Sequence, residues 1–203
     1  PDNAEQLDNS DGSAADWVGR APGVFDPTNA VVQDGKLQLL IEWEPSSAMF
    51  PVLDNDGDPM LDADCDCPYE NYTVGGLVSR NSLQYGYAEI RAKAAPLPVS
   101  SAFWMIGNHF EIDVFETVGN EQVISSSTHH DYRKDGYTTE TALSFDPTAG
   151  FHVYGAHWTR SYIDVYVDGV KVHRIKKIDA RRKGQWPERD CNVHIRLDNE
   201  IFS

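Results

Sequence analysis

The residues best equipped for chemistry in this sequence are the carboxylates of Glu111-Ile112-Asp113-Val114-Phe115-Glu116. They lie among Ile, Val and Phe, with Phe110 just before them, and β-branched and aromatic residues in this density read as a half-buried strand. Side chains on a regular strand alternate between faces, so Glu111 and Asp113 share one face while Glu116 falls on the other. An acid aimed into an apolar core is heavily penalised. One extra residue at Val114-Phe115, a β-bulge, reverses the parity and returns Glu116 to the side of the other two. Three acids then line one exposed face. Two carboxyl groups about 5–5.5 Å apart, one a nucleophile and the other an acid and then a base, are what retaining cleavage of a glycosidic bond requires. A flat strand would hold Glu111 and Glu116 too far apart, so the sheet has to be concave on that face. Asp113 between them would hold a proton or a hydrogen bond and push the pKa values of the outer pair apart, because like charges so close do not all ionise. The plainer alternative is a solvated strand face that happens to carry acids.

The rest of the chain must supply a sheet to hold that row. Apolar alternation bounded by turn residues predicts strands at Val74–Ser79, Tyr85–Ala92, Ala102–Ile106, Phe110–Phe115, Val123–His129, His152–Trp158, Tyr162–Val167 and Val170–Ile175. Asp34-Gly35 and Asp168-Gly169 each sit between alternating apolar residues, the signal of a tight β-hairpin. No stretch reads as a long amphipathic helix, and many short strands separated by turns indicate an all-β sandwich. Trp104, on the strand before the acids, would offer its flat apolar face to a pyranose ring; the alternative is a volume-filling core residue. In Ser127-Thr128-His129-His130 two adjacent histidines face opposite sides of a strand, so one reaches the acids, and His129 is the one assigned there. His157-Trp158 reads as core and hairpin support. Residues 44–70 form a long segment rich in Pro and Asp, which in a compact domain is usually functional and is read as a cleft wall.

Composition bounds the partners. The chain has 203 residues, 40% of them hydrophobic, enough for one domain with a sizeable core. A formal charge of −15 argues against nucleic acid or an anionic membrane, since both need a basic surface. No apolar run approaches the roughly 20 residues of a membrane span. Asp54, Asp56 and Asp58 mimic the start of a calcium loop, but Pro59 replaces the expected Gly and no Glu closes it, so neither metal nor cofactor is expected. Cys65 and Cys67 are badly placed to pair with each other, and one of them could pair with Cys191; a metal site is the rival reading. Asn71-Tyr72-Thr73 fits a glycosylation sequon. The basic run from Lys176 to Lys183 reads as a solvated loop, or as a place for sulfate groups on a substrate. In Trp17-Val18-Gly19-Arg20-Ala21-Pro22, Trp17 could stack on a sugar and Arg20 could hold hydroxyls or an anion; alternatively the Trp plugs the sandwich edge and Arg20 makes a structural ion pair.

Glu111-Ile112-Asp113-Val114-Phe115-Glu116 resembles the signature of glycoside hydrolase family 16 in its bulged E-x-D-x-x-E form. The resemblance extends to Tyr85–Lys93, to Ser100-Ser101-Ala102-Phe103-Trp104 and to Phe151–Trp158 followed by Ile163–Gly169, covering roughly residues 17 to 202. It implies a β-jelly-roll sandwich of two antiparallel sheets with a concave substrate cleft. It also implies Glu111 as nucleophile, Asp113 as supporting acid and Glu116 as acid/base. The Trp17-x-Gly19-Arg20-x-Pro22 opening resembles the agarase, porphyranase and carrageenase branches, where this segment contacts substrate. Asn199 or Glu200 would occupy a place where related galactan hydrolases present a polar residue to sugar, with Glu200 the one assigned. An Asp-Glu-Phe-like edge strand and a closing V-D-Y-V-R-V strand are absent, so residues 1–203 are expected to form one catalytic domain that is either trimmed at both ends or covered at those edges by other segments. The expectation is an endo-acting, retaining, secreted and monomeric hydrolase of a β-linked red-algal galactan such as agarose or porphyran. A β-1,3-glucanase, a carrageenase, transglycosylation and a lectin-like module without activity are the alternatives.

Overall fold

The computed structural model describes residues 19–44, 50–53, 56–62, 66–107, 109–131, 136–187 and 191–201. Trp17, Asp54 and Cys65 lie outside them. The first strands are short: β1 (Gly23–Phe25), β2 (Ala30–Gln33), β3 (Lys36–Leu39), β4 (Ile41–Trp43), β5 (Leu61–Asp62), β6 (Cys67–Pro68), β7 (Tyr72–Val74) and β8 (Gly76–Val78). Longer ones follow: β9 (Gly86–Ala92), β10 (Val99–Gly107), β11 (Phe110–Val118), β12 (Val123–His130), β13 (Tyr137–Ala142), β14 (His152–Trp158), β15 (Tyr162–Val167) and β16 (Val170–Lys176). A helix α1 (Lys177–Arg182) precedes β17 (His194–Ile201).

Two antiparallel sheets make the sandwich. One has six strands in the order β13-β12-β11-β10-β17-β8, the other four in the order β16-β15-β14-β9. Between them lie Phe103 and Met105 from β10, Phe110, Ile112, Val114 and Phe115 from β11, and Tyr154, Ala156, Trp158, Ile163 and Val165 from β14 and β15. Phe115 stacks on Tyr154 across the gap with ring centroids 4.0 Å apart. Burying one such side chain stabilises by about 1.5–3 kcal/mol, and a carboxylate turned into this layer would cost more than that. The apolar side therefore fixes which face each strand presents. The all-β sandwich expected from the alternation, and the jelly roll that the family resemblance implied, are the fold observed.

The expected bulge is present. Asp113 pairs with Ser127 and Glu116 with Ser125, so Val114 and Phe115 together oppose Ser126. Both of those residues are buried in the core, which leaves Glu116 on the face of Glu111 and Asp113. The Ser126 hydroxyl donates to the Val114 carbonyl at 2.9 Å and so satisfies a main-chain acceptor that the bulge takes out of the ladder.

Four expectations are corrected. Val74–Ser79 is two strands in different sheets, because the chain changes sheet at Gly75, where a Cβ would sit 2.4 Å from the Asn29 carbonyl oxygen. β13, with its Thr and Glu alternation, was not anticipated. The basic run is a helix rather than a loop: Ala180 of α1 is fully buried and the Lys177 ammonium lies 5.8 Å from the Trp186 ring centroid. Cys67 is disulfide-bonded and Cys191 is a buried thiol, so Cys191 is not bridged to the 65–67 segment.

Candidate active site

The site face is read off the ladders around β11. Glu111 lies between Ile106 and His129, Asp113 between Trp104 and Ser127, and Glu116 between Ala102 and Ser125. One strand further, Arg196 lies opposite Trp104, Asp198 opposite Ala102 and Glu200 opposite Ser100. Four neighbouring strands, β12, β11, β10 and β17, thus place acids, a histidine, a tryptophan and an arginine on one surface.

His129 Nε2 is 3.2 Å from Asp113 Oδ2, and Asp113 in turn hydrogen-bonds Glu111. One ligand-capable atom from each of Glu111, Asp113 and His129 lies within 4.8 Å of the others. A divalent cation would be held through these same atoms, but their bonds to one another account for the cluster without it. Burial, and then the neighbouring Asp113 charge, push Glu111 up to about 8 against the opposing pull of His129. The same two causes and Glu200 push Glu116 up to about 7, with Arg20 and His129 opposing. Glu116 therefore holds a proton over part of the neutral range. The His129 ring lies against the backbone of Gly136, where a Cβ would come 2.4 Å from its Cε1.

Arg20 Nε donates to Glu200 Oε2 at 2.6 Å, joining positions 180 residues apart. Glu200 is raised by burial, and Arg20 opposes that rise. The Arg20 segment is held from below: the Ala21 amide donates to Asp62 Oδ2 at 2.9 Å and the Tyr69 hydroxyl to the Gly19 carbonyl at 3.2 Å. Ala21, Val24 and Tyr69 cluster with Phe50, Val52 and Met60. The described parts of the long 44–70 segment thus support Arg20.

Of the residues picked from sequence, Glu111, Asp113, Glu116, His129, Trp104, Arg20 and Glu200 come to this surface, while Trp17 lies outside the described residues. Trp104 is only 9% exposed. Its Nε1 donates to Asp198 Oδ2 at 2.9 Å and the Arg196 guanidinium lies 5.0 Å from its ring centroid. Asn199 turns to the other side of the sheet, where it accepts from Ser101 and donates to the Leu39 carbonyl. His157 faces outward from the four-stranded sheet, edge-on to Tyr162. Sequence reasoning missed Arg196, Asp198, Ser126 and Gly136. Counting back from Glu200 in steps of two would have found the first two.

A jelly-roll sandwich carrying a carboxyl-lined sheet face is the class that fold and site define. The chain belongs to the glycosyl hydrolases family 16, whose family model matches residues 29–199. It is 29% identical over 188 residues to beta-porphyranase B of Zobellia galactanivorans, covering 77% of this chain and 58% of that protein. It is 30% identical over 177 residues to a beta-glucanase of Acetivibrio thermocellus, covering 83% of this chain and 46% of that protein. The chain thus spans under three-fifths of these relatives. The crystal structure of porphyranase B from Zobellia galactanivorans superposes with a TM-score of 0.72 at 25% identity, over 94% of this chain and 74% of that one. The laminarinase catalytic domain from Thermotoga maritima superposes with a TM-score of 0.70 at 22% identity, over 89% and 72%.

Proposed function

We propose that this chain is the catalytic domain of an endo-acting, retaining glycoside hydrolase that cleaves a β-linked galactan of the porphyran or agarose type. One observation carries the reading: the bulge brings Glu116, pushed up to about 7, to the face that Glu111 and Asp113 already share. Glu111 attacks the anomeric carbon as Glu116 gives its proton to the departing oxygen, and a glycosyl ester forms. Glu116, now a carboxylate, takes a proton from the water that cleaves the ester. Glu111 acts as the nucleophile in its ionised form, Asp113 hydrogen-bonds and aligns it, and His129 orients Asp113. Arg20, Glu200 and Trp104 contact sugar, together with Trp17.

Similarity to porphyranases supports the galactan, with Arg20 offering a cation to substrate hydroxyls or anionic groups. The second reading is a β-glucan substrate, supported by equal similarity to the Acetivibrio enzyme. The disulfide at Cys67 fits a secreted protein, in keeping with a polymeric substrate acted on by a monomer. Measuring release of reducing ends from porphyran, agarose, carrageenan and laminarin separates these readings. Cleavage of laminarin alone would establish the glucanase, and binding without release from any of the four a lectin-like module.

A further inference from the structure

We propose that Arg196 and Asp198 are positioning residues for the Trp104 indole, gripping it by face and edge so that it stands as a fixed wall of the cleft beside Glu116. The inference rests on reading this face as a sugar site. The three residues occupy adjoining positions of β10 and β17, with Arg196 directly opposite Trp104 and Asp198 opposite Ala102. Ala102 is also the partner of Glu116 on the other side, so Asp198, which holds the indole edge, and the acid/base candidate flank one small side chain.

Neither group has a part in bond cleavage, yet both are buried, Arg196 at 2% exposed and Asp198 at 4%. A buried guanidinium is costly, and an apolar side chain opposite Val78 would pack at least as well. Its return is the contact with the indole face, a cation over a ring 5.0 Å away in a desolvated setting. The return on Asp198 is the 2.9 Å bond from the indole N–H, which fixes the ring's rotation about its own axis. Burial, with Glu200 and Glu116 adding their charge, holds Asp198 well above the usual carboxylate range against the pull of the indole N–H and Arg196, and so favours its neutral form. Its other oxygen, Oδ1, has no hydrogen-bond partner among the described residues, which a neutral acid tolerates better than a carboxylate.

The test compares Asp198→Asn, Asp198→Leu and Arg196→Met, each in a Glu111→Gln background that prevents turnover. Titration calorimetry with porphyran and agarose oligosaccharides reads affinity, and the Trp104 indole N–H resonance reads the clamp. Asp198→Leu should weaken binding about tenfold, the equivalent of one lost hydrogen bond, and move that resonance. Asp198→Asn keeps a neutral acceptor for the indole and should bring binding back to within about twofold of the parent. If Asp198→Leu does not fold, Arg196→Met takes its place, with the same tenfold loss expected. Undiminished binding and an unmoved resonance in Asp198→Leu, or Asn as weak as Leu, would overturn the clamp. A parent that bound none of these sugars would overturn the galactan reading instead, and the indole resonance would then decide the clamp by itself.

Discussion

The hydroxyl of Ser126 reaches the main-chain carbonyl of Val114 across 2.9 Å, closing the irregularity on which the acidic row depends. Without a two-against-one pairing at Ser126, Glu116 would face Tyr154 and the core. In Ser126→Ala the buried carbonyl loses its partner, at about 1–3 kcal/mol. In a domain of this size each kcal/mol lowers Tm by roughly 2–4 °C. The variant is expected to melt several degrees earlier and to lose kcat with KM nearly unchanged. Thermal melts and initial rates check this; unaltered values would mean that Val114 and Phe115 hold the bulge by packing alone.

The raised acids fix the direction of the pH dependence. Glu111 and Glu116 both move up from an ordinary value of 4.5, to about 8 and about 7. Between pH 4.5 and 8 the folded chain therefore binds more protons than the unfolded one, and stability falls as pH rises through that window. Glu116→Gln removes one of these groups. It should melt above wild type at pH 8 and level with it at pH 4, readable by differential scanning calorimetry. Equal melting at pH 8 would show that Glu116 is not strained in its ionised form.

Activity should fall on the alkaline side for a related reason. In the proposed mechanism Glu116 carries its proton when the glycosidic oxygen leaves, so kcat/KM is expected to drop as pH passes about 7. Replacing Glu116 by Ala should cost about 10²–10⁴ in rate and abolish that limb. A pH–rate profile that kept its alkaline limb in the variant would assign it to another group.

Gly136 has a steric duty. A methyl group there meets the His129 ring at 2.4 Å, and comes 2.6 Å from Nε2, the atom that faces Asp113. Gly136→Ala is expected to displace His129 from Asp113 and lower kcat at least about tenfold, a loss of roughly 1.4 kcal/mol in transition-state stabilisation. Initial rates of Gly136→Ala and His129→Ala, compared with the double variant, check this. Additive losses would mean that Gly136 acts elsewhere.

Arg20→Ala removes the counter-charge of a carboxylate whose side chain is only 11% exposed. Glu200 can respond by taking up a proton, so the folding cost stays below the roughly 3–5 kcal/mol of a stranded buried charge. The loss should appear chiefly as a higher KM, with Arg20→Lys intermediate. Steady-state kinetics on a defined oligosaccharide measure it, and an unchanged KM in Arg20→Ala would place the pair outside the substrate path.

The acidic row was legible because its physics is local. Period two and the cost of burying Glu116 leave a bulge at Val114-Phe115 as the simplest solution. His152–Trp158 and Tyr162–Val167 were legible for the same reason, with Asp168-Gly169 turning at φ 48° and 76° as a tight hairpin demands. What stayed hidden depends on distant partners. β13 has little apolar signal because, among the described residues, it is an edge strand paired with β12 alone. Gly75 is forced by the approach of Asn29, a contact no local pattern announces. Asp198 and Arg196 look like ordinary strand charges until β17 is placed beside Trp104. The helical turn at Lys177–Arg182 is revealed by Ala180 and Trp186 sealing the end of the core, not by any long amphipathic period.

β17 is the final strand described, yet it is threaded between β10 and β8 in the interior of the six-stranded sheet. During synthesis, then, β11 can assemble its carboxyls while the surface beside them still lacks Arg196, Asp198 and Glu200. A chain halted before residue 194 would lack the strand that flanks β10, and with it Arg196, Asp198 and Glu200.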